Sequence, residues 1–438
     1  MTPGLILAAA ASGSGKTILT LGLLRALRQR RIIVSPAKIG PDYIDPAFHT
    51  AASGRASRNI DPWAMRPSQL AAEIDVLEKD SALILCEGVM GLFDGIGPTG
   101  IGSTAELAAR TGWPVILIVD AAKQSASIAA LVSGFISYRP DIFIAGIILN
   151  KVGSPSHAHL LKETLRHKYP DLPVLGCVFR NPQLDLPSRH LGLIQAAETL
   201  NLDQFLDSAA DAISQAIDID HLIRLAKPNS LPPTSKSSSV LAPLGQRIGL
   251  AQDAAFAFVY PHIIDGWRNA GAEICFFSPL AGESVPVTVD AVFLPGGYPE
   301  LHGAALAAAP FLHSLQHAAN RGAKIYGECG GYMVLGRGLI DAQGQRHAMA
   351  GLLPLETSFA ERQRHLGYRQ ISLTNNCFLG KKAASFRGHE FHYTKILSES
   401  GASSLFTVQD GLGTNLPDAG LVEGRVAGSF IHLIDCAD

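Results

Sequence analysis

Lys16 and Thr17 close the stretch Ala10-Ala11-Ser12-Gly13-Ser14-Gly15-Lys16-Thr17. An ammonium and a hydroxyl side by side, behind a loop of small residues, suit a phosphorylated nucleotide. Bare backbone N–H groups of Ser12, Gly13, Ser14 and Gly15, and of the helix start behind them, attract phosphate oxygens. Lys16 would reach the terminal phosphates and Thr17 would hold Mg²⁺. Ala10 stands where the GxxxxGK[ST] pattern has its first Gly, so this is a relaxed P-loop. Carboxylates follow. Asp42 and Asp45 sit between Pro41 and Pro46, whose fixed φ limits where the acids point. Either acid suits Mg²⁺ or a substrate. Glu87 ends an apolar run and opens the glycine-rich stretch to Gly95, which also carries Asp94. An acid at the end of a buried strand beside a P-loop is placed as a metal ligand. Thr17, Asp45 and Glu87 are therefore the candidate metal set. Asn150 ends another apolar run and suits reading an adenine edge.

The second half offers different chemistry. Gly327-Glu328-Cys329-Gly330-Gly331 is a G-x-C-x-G elbow after an apolar run. Such an elbow lifts a nucleophile into a cleft, and its glycines leave room for the sharp turn. A helix starting just after Cys329 would favour thiolate over thiol. A thiolate needs a base. His432, after the apolar Gly428-Ser429-Phe430-Ile431, is the first choice, with His389 and His392 as rivals that spacing does not separate. Gly296 and Gly297, in Pro295-Gly296-Gly297-Tyr298, suit an oxyanion hole built of backbone N–H groups.

These residues need scaffolds. Apolar runs at 5–9, 32–36, 82–86, 115–119, 144–149 and 174–177 alternate with helical patterns, predicting a parallel sheet with helices on both faces. Loops leaving the C-terminal strand ends of such a sheet gather over one crevice, and the P-loop is one of them. Residues 227–245 are rich in Pro and Ser and read as a linker. A second alternation begins with runs at 248–251, 274–277, 291–294 and 324–326. The expected fold class is α/β in two domains, 1–226 and 246–438.

Composition agrees with a compact, ordinary protein. The 438 residues exceed one ordinary core. Hydrophobic residues make 47% and charged residues 17%, and the net charge of −2 gives no reason to expect nucleic acid as a partner. The six cysteines form no CxxC pair, which suits a reducing, cytoplasmic setting. The apolar N-terminus lacks a basic leader and is broken by the P-loop, so neither a signal peptide nor a membrane span is expected.

The ordered set SGSGKT, KIGPDYIDPAFH, EGVMGLFDG, ILNKVGS, PSRHLGL, AQDAAFAFVY, LPGGYPEL, YGECGGYM, LGYR and RGHEFHY resembles the cobyrinate a,c-diamide synthase family, including its metal-free hydrogenobyrinate counterpart, over nearly the whole chain. The resemblance implies a dethiobiotin-synthetase-type ATPase followed by a class I glutamine amidotransferase. It implies a corrin substrate whose a and c acetate carboxylates become carboxamides, with ATP and glutamine as co-substrates and Mg²⁺ as cofactor. The family's site positions match Asp42, Tyr43, Asp45, Glu87 and Asp94. Its nucleophile matches Cys329 and its activating histidine His432. Two departures stand out. Ile434 occupies the position, two after the histidine, where many triads carry Glu, and Ala11 lacks the signature Lys of partition-type ATPases. The metal-free ring is preferred on overall similarity. Cobyrinate and other tetrapyrroles such as nickel-sirohydrochlorin are the nearest alternatives. A nucleotide switch with a non-catalytic amidotransferase-like module is the alternative of another class. A homodimer is compatible with the reading.

Overall fold

In the first unit, largely buried strands make a single sheet. The computed structural model describes residues 1–184, 188–189, 192–193, 195–232 and 241–437. Parts of the expected linker and of the PSRHLGL motif lie outside them. Strand β1 (Gly4–Ala9) has all six residues buried, as has β2 (Val34–Ile39). With β3 (Arg58–Ile60), β4 (Leu83–Glu87), β5 (Val115–Asp120), β6 (Ile144–Val152) and β7 (Val174–Phe179) they form a parallel sheet of order β3-β2-β4-β1-β5-β6-β7. Burial on both faces is what lets β1, β4 and β5 read as nearly unbroken apolar runs.

Strand β2 begins two residues later than the apolar run starting at Ile32. The Ile32 N–H is still bonded to Leu27 O at the end of helix α1 (Lys16–Gln29), and Arg31 turns the chain with φ 61°. The chain is therefore still closing the helix at Ile32. Strand β3 is three residues long and reads Arg-Asn-Ile, so it shows no apolar run. Helix α2 (Asp45–Ser53) follows the turn after β2.

The second unit begins as expected. Strands Arg247–Ala251, Glu273–Phe277, Ala291–Leu294 and Lys324–Glu328 are parallel neighbours, and Val426–Ser429 pairs parallel with the last of them. The rest departs from simple alternation. Strands Asn415–Glu423, Ser403–Asp410, His365–Leu373, Ser385–His392 and Ile431–Cys436 continue the same sheet antiparallel, to ten strands in all. Three of them, Asn415–Glu423, Ser403–Asp410 and His365–Leu373, are half-exposed, as in the pattern eiBBeBii of Ser403–Asp410, and so give no continuous apolar signal. Val426–Ser429 and Ile431–Cys436 are separated only by Phe430 in the chain, yet they lie five places apart in the sheet. The antiparallel part must therefore curl back on itself.

The two compact units are Met1–Trp63 with Leu70–Lys236, and Ala64–Gln69 with Ser237–Asp438. In the second, the Arg66 guanidinium donates to the fully buried Asp435 at 2.8 Å. Among the described residues, no helix is long and apolar enough to cross a membrane.

Packing at the elbow is close. A Cβ added at Gly331 would lie 1.9 Å from Leu294 O. That atom is backbone of a central strand and cannot yield. Gly331→Ala is therefore expected to destabilise the second unit by about 4 kcal/mol or more, the range reserved for severe core defects. An unchanged urea-unfolding transition would contradict this packing.

Candidate active sites

At the end of β1 the chain enters the loop of residues 10–15 and then α1. Gly13 and Gly15 take φ of 77° and 89°, which turns the loop back over the helix start. Ser12 and Gly13 are exposed, and the buried Ser14 donates through Oγ to Ala11 O at 2.8 Å. Asn150, at the end of β6, donates through Nδ2 to Ser14 O at 2.8 Å. Its amide nitrogen therefore braces the loop backbone in this structure, rather than standing open toward a base. Lys151 adds a second brace, donating to Gly13 O at 2.7 Å while paired with Asp120 at 2.8 Å. Lys16 is buried and donates to Met90 O, in the loop after β4. Burial lowers its pKa, against the pull of Glu87.

Beyond Lys16 lies a buried cage of charge. Thr17 Oγ1 donates to Glu87 Oε1 at 2.8 Å and stands 3.4 Å from Asp45 Oδ2. Lys38, on β2, donates through Nζ to Asp45 at 2.5 Å and Glu87 at 2.9 Å, with Asp42 at 4.0 Å. His49 Nε2 lies 2.7 Å from the other Glu87 oxygen. Burial would raise the Glu87 pKa, but Lys38 and His49 hold it well below the carboxylate range. Asp45 is pushed up to about 6 by burial, with Asp42 adding to the effect and Lys38 opposing it. Burial would lower Lys38, and Asp45 and Glu87 more than reverse that.

Thr17, Asp45 and Glu87 thus come together. Asp42 reaches the rim: its Oδ1 accepts the N–H groups of Ile44 and Asp45 at 2.8 and 3.0 Å, capping the entry to α2. Tyr43 is half-buried in the same turn. Asp94 accepts the Gly91 N–H at 2.8 Å and shapes its own loop. Sequence reasoning assigned nothing to Lys38 or His49. Lys38 lies beyond the expected run at 32–36; the strand runs on to Ile39 and buries it, which the sequence does not signal.

In the second unit, Cys329 ends the strand Lys324–Glu328 with φ 47° and ψ −105° and starts the six-residue helix Gly330–Leu335. Its N–H is tied to Ser429 O at 2.8 Å. A Cβ built on Gly296 would lie 2.3 Å from His432 Cε1, 3.0 Å from His432 Nε2 and 3.3 Å from Cys329 Cβ. Thiol, imidazole and Gly296 therefore share one small space, and only glycine fits there. The Gly297 N atom borders it, 3.0 Å from where a Gly330 Cβ would stand.

The rival histidines lie close by but are engaged differently. His389 faces His432 in the register of the paired strands and makes an edge contact with Tyr368. His392 contacts Glu390 at 3.0 Å and stacks on Phe430 and His365. His365, Glu390 and His392 bring ligand atoms within 4.8 Å of one another. However, Arg369 and His392 already engage both Glu390 oxygens, and the two imidazoles stack in parallel, so the three form a hydrogen-bonded network.

Burial pushes the Cys329 thiol well above its usual range, with Glu300 adding and the Gly330 N–H opposing. This corrects the expectation that the helix start would favour thiolate: for a thiol only 2% exposed before a six-residue helix, desolvation outweighs the helix end. Burial, with His389 and His392 adding, lowers His432 to about 3. The resting pair is a neutral thiol beside a neutral imidazole.

Residues 5–194 match the CobQ/CobB/MinD/ParA nucleotide binding domain, and residues 247–437 match the CobB/CobQ-like glutamine amidotransferase domain. The chain is thus an enzyme of the amidotransferase class, a carbon–nitrogen ligase with a nucleotide-binding half. It is 50% identical to a hydrogenobyrinate a,c-diamide synthase of Rhizobium meliloti, over 99% of this chain and 100% of that protein. It is 51% identical to proteins of the same name from a Sinorhizobium species and from Brucella ovis, over 99% of this chain and 99% and 98% of theirs. The chain belongs to the hydrogenobyrinate a,c-diamide synthase family.

A raised thiol has a measurable consequence. Alkylation of Cys329 by iodoacetamide without glutamine, followed at its own peptide by mass spectrometry, should climb steadily with pH through 9. A plateau below pH 7 would mean a preformed thiolate and would contradict the resting state described.

Proposed function

We propose that the chain converts the a and c acetate carboxylates of hydrogenobyrinate to carboxamides, using ATP and glutamine, in cobalamin biosynthesis. The observation that carries this reading is full-length identity of about half to relatives of that name, in a chain holding both a P-loop and a thiol elbow.

A carboxylate is a poor acyl donor because its oxygen leaves badly. In the first unit its oxygen attacks the γ-phosphorus of ATP, forming an acyl phosphate and releasing ADP. Loop N–H groups and Lys16 hold the phosphates, Lys16 exchanging its contact to Met90 O for phosphate oxygens. The donor set fits Mg²⁺: a hydroxyl and two carboxylates, all hard oxygen ligands, converge from α1, α2 and β4. Thr17, Asp45 and Glu87 would hold the ion, which when bound offsets charge on the phosphates. Lys38 keeps the buried carboxylates ionised and oriented, and His49 fixes the far oxygen of Glu87. Asp42, Tyr43 and Asp94 border the acid substrate.

In the second unit, His432 takes the Cys329 proton and the sulfur attacks the side-chain carbonyl of glutamine. N–H groups at Gly296 and Gly297 meet the developing oxyanion. The C–N bond breaks, the proton passes from His432 to nitrogen, and ammonia departs. Water then cleaves the thioester to glutamate. Ammonia adds to the acyl phosphate, inorganic phosphate leaves, and the amide remains after loss of a proton.

Two substitutions separate the halves. Cys329→Ala should lose glutamine-driven synthesis by at least about 1000-fold yet keep ammonium-driven synthesis, whereas Lys16→Ala should lose both. Mass spectrometry of the diamide product is the readout. Glutamine-driven synthesis surviving in the first variant, or either route surviving in the second, would refute the assignment.

A further inference from the structure

Ile434, where a triad carboxylate is usual, is buried and apolar. Its side chain offers no acceptor, so a charge partner for His432 is either absent or supplied from elsewhere in the fold. Glu328, the residue just before Cys329, has Oε2 at 3.6 Å from His432 Nδ1. Its other oxygen, Oε1, accepts the N–H of Leu433 at 3.0 Å. The side chain is 3% exposed and is thus held by the neighbour of the histidine it faces.

We infer that Glu328 is the positioning carboxylate of the glutaminase site, the third member of a Cys329–His432–Glu328 relay that reuses the strand end carrying the nucleophile. This inference rests on the proposed glutaminase reading. At 3.6 Å the contact is longer than a hydrogen bond, but a carboxylate charge on that side favours the tautomer with hydrogen on Nδ1, which leaves Nε2 as the acceptor facing the Gly296 space shared with Cys329. When Nε2 takes the thiol proton, the charge on the imidazolium meets the Glu328 carboxylate. That compensation matters because His389, in register with His432, and His392 both disfavour a positive charge there, with Glu390 opposing them. Burial pushes Glu328 up to about 8, with the Leu433 N–H opposing, so both the tautomer preference and the charge compensation belong to its ionised form, which an imidazolium 3.6 Å away favours.

The geometry also accounts for the position. Strand Lys324–Glu328 pairs with Val426–Ser429 in parallel register, Glu328 opposite Ser429. Phe430 then carries the chain onto Ile431–Cys436, bringing His432 and Leu433 back beside the elbow. The curl of the sheet therefore delivers the imidazole to the carboxylate that precedes the thiol. A carboxylate at position 434 would be redundant.

The test uses the full-length chain with three substitutions. Glu328→Gln keeps the acceptor for Leu433 and removes the charge, and Glu328→Asp keeps the charge and shortens the reach. Glutamine hydrolysis should fall in kcat by about 100-fold or more for Gln, with KM changed less than about threefold, and by clearly less for Asp. Ammonium-driven amidation should equal wild type in both variants, which establishes that they are folded. A Gln variant within about threefold of wild-type kcat, Gln and Asp variants that are equal, or an ammonium-driven rate that falls in step with hydrolysis would each overturn the inference. Cys329→Ala run alongside separates the two levels. Hydrolysis persisting there defeats the glutaminase reading, whereas hydrolysis lost there but retained in Glu328→Gln defeats only the role of Glu328.

Discussion

The second unit depends on one strained residue. Cys329 holds φ 47°, a conformation that costs a non-glycine residue about 1–3 kcal/mol. The strain persists because its surroundings fix it from several sides. Its N–H is bound to Ser429, the helix behind it lies against Leu294 with no room for a Cβ at Gly331, and Gly296 leaves just enough space for His432. Relaxing the turn would swing the thiol away from the imidazole, and the same glycines prevent that. Close packing and chemistry are here one requirement: the elbow turns the thiol toward His432 while the surrounding sheet keeps it buried.

Dryness sets the electrostatics of both units, with opposite results. Around Cys329 burial keeps thiol and imidazole neutral, so charge arises only during reaction. In the first unit burial is offset by pairing. Lys38 sits among Asp45, Glu87 and the more distant Asp42, and His49 closes the far side. Removing one member of such a set leaves an uncompensated buried charge, which costs more than the set contributes as a whole. The cage therefore reads as a device for holding ionised oxygens in place for a phosphate and its counter-ion, which is its part in the proposed phosphoryl transfer.

What was legible in the sequence was local. The loop ending in Lys16-Thr17 and the elbow at Cys329 are contiguous strand–turn–helix segments, so each carries its whole geometry within about fifteen residues. Glu87 was legible because it ends a buried run. Lys38 went unassigned although it lies in a quoted motif, since its partners come from α2 and β4 and the sequence does not display that convergence. Glu328 was hidden for the same reason: its partner lies beyond a curl of the sheet that alternation alone does not foretell. The antiparallel strands at 365–373, 403–410 and 415–423 gave no signal because half-exposed strands carry no continuous apolar run. Asn150 was placed at the right loop, yet its amide holds backbone.

The account holds that a carboxylate oxygen is activated by phosphorylation before nitrogen arrives. Hydrogenobyrinate labelled with ¹⁸O in its carboxylates, incubated with the enzyme, ATP and glutamine, tests that most directly. The account predicts one labelled oxygen in inorganic phosphate for each amide formed. Unlabelled phosphate, or pyrophosphate released with AMP, would contradict it.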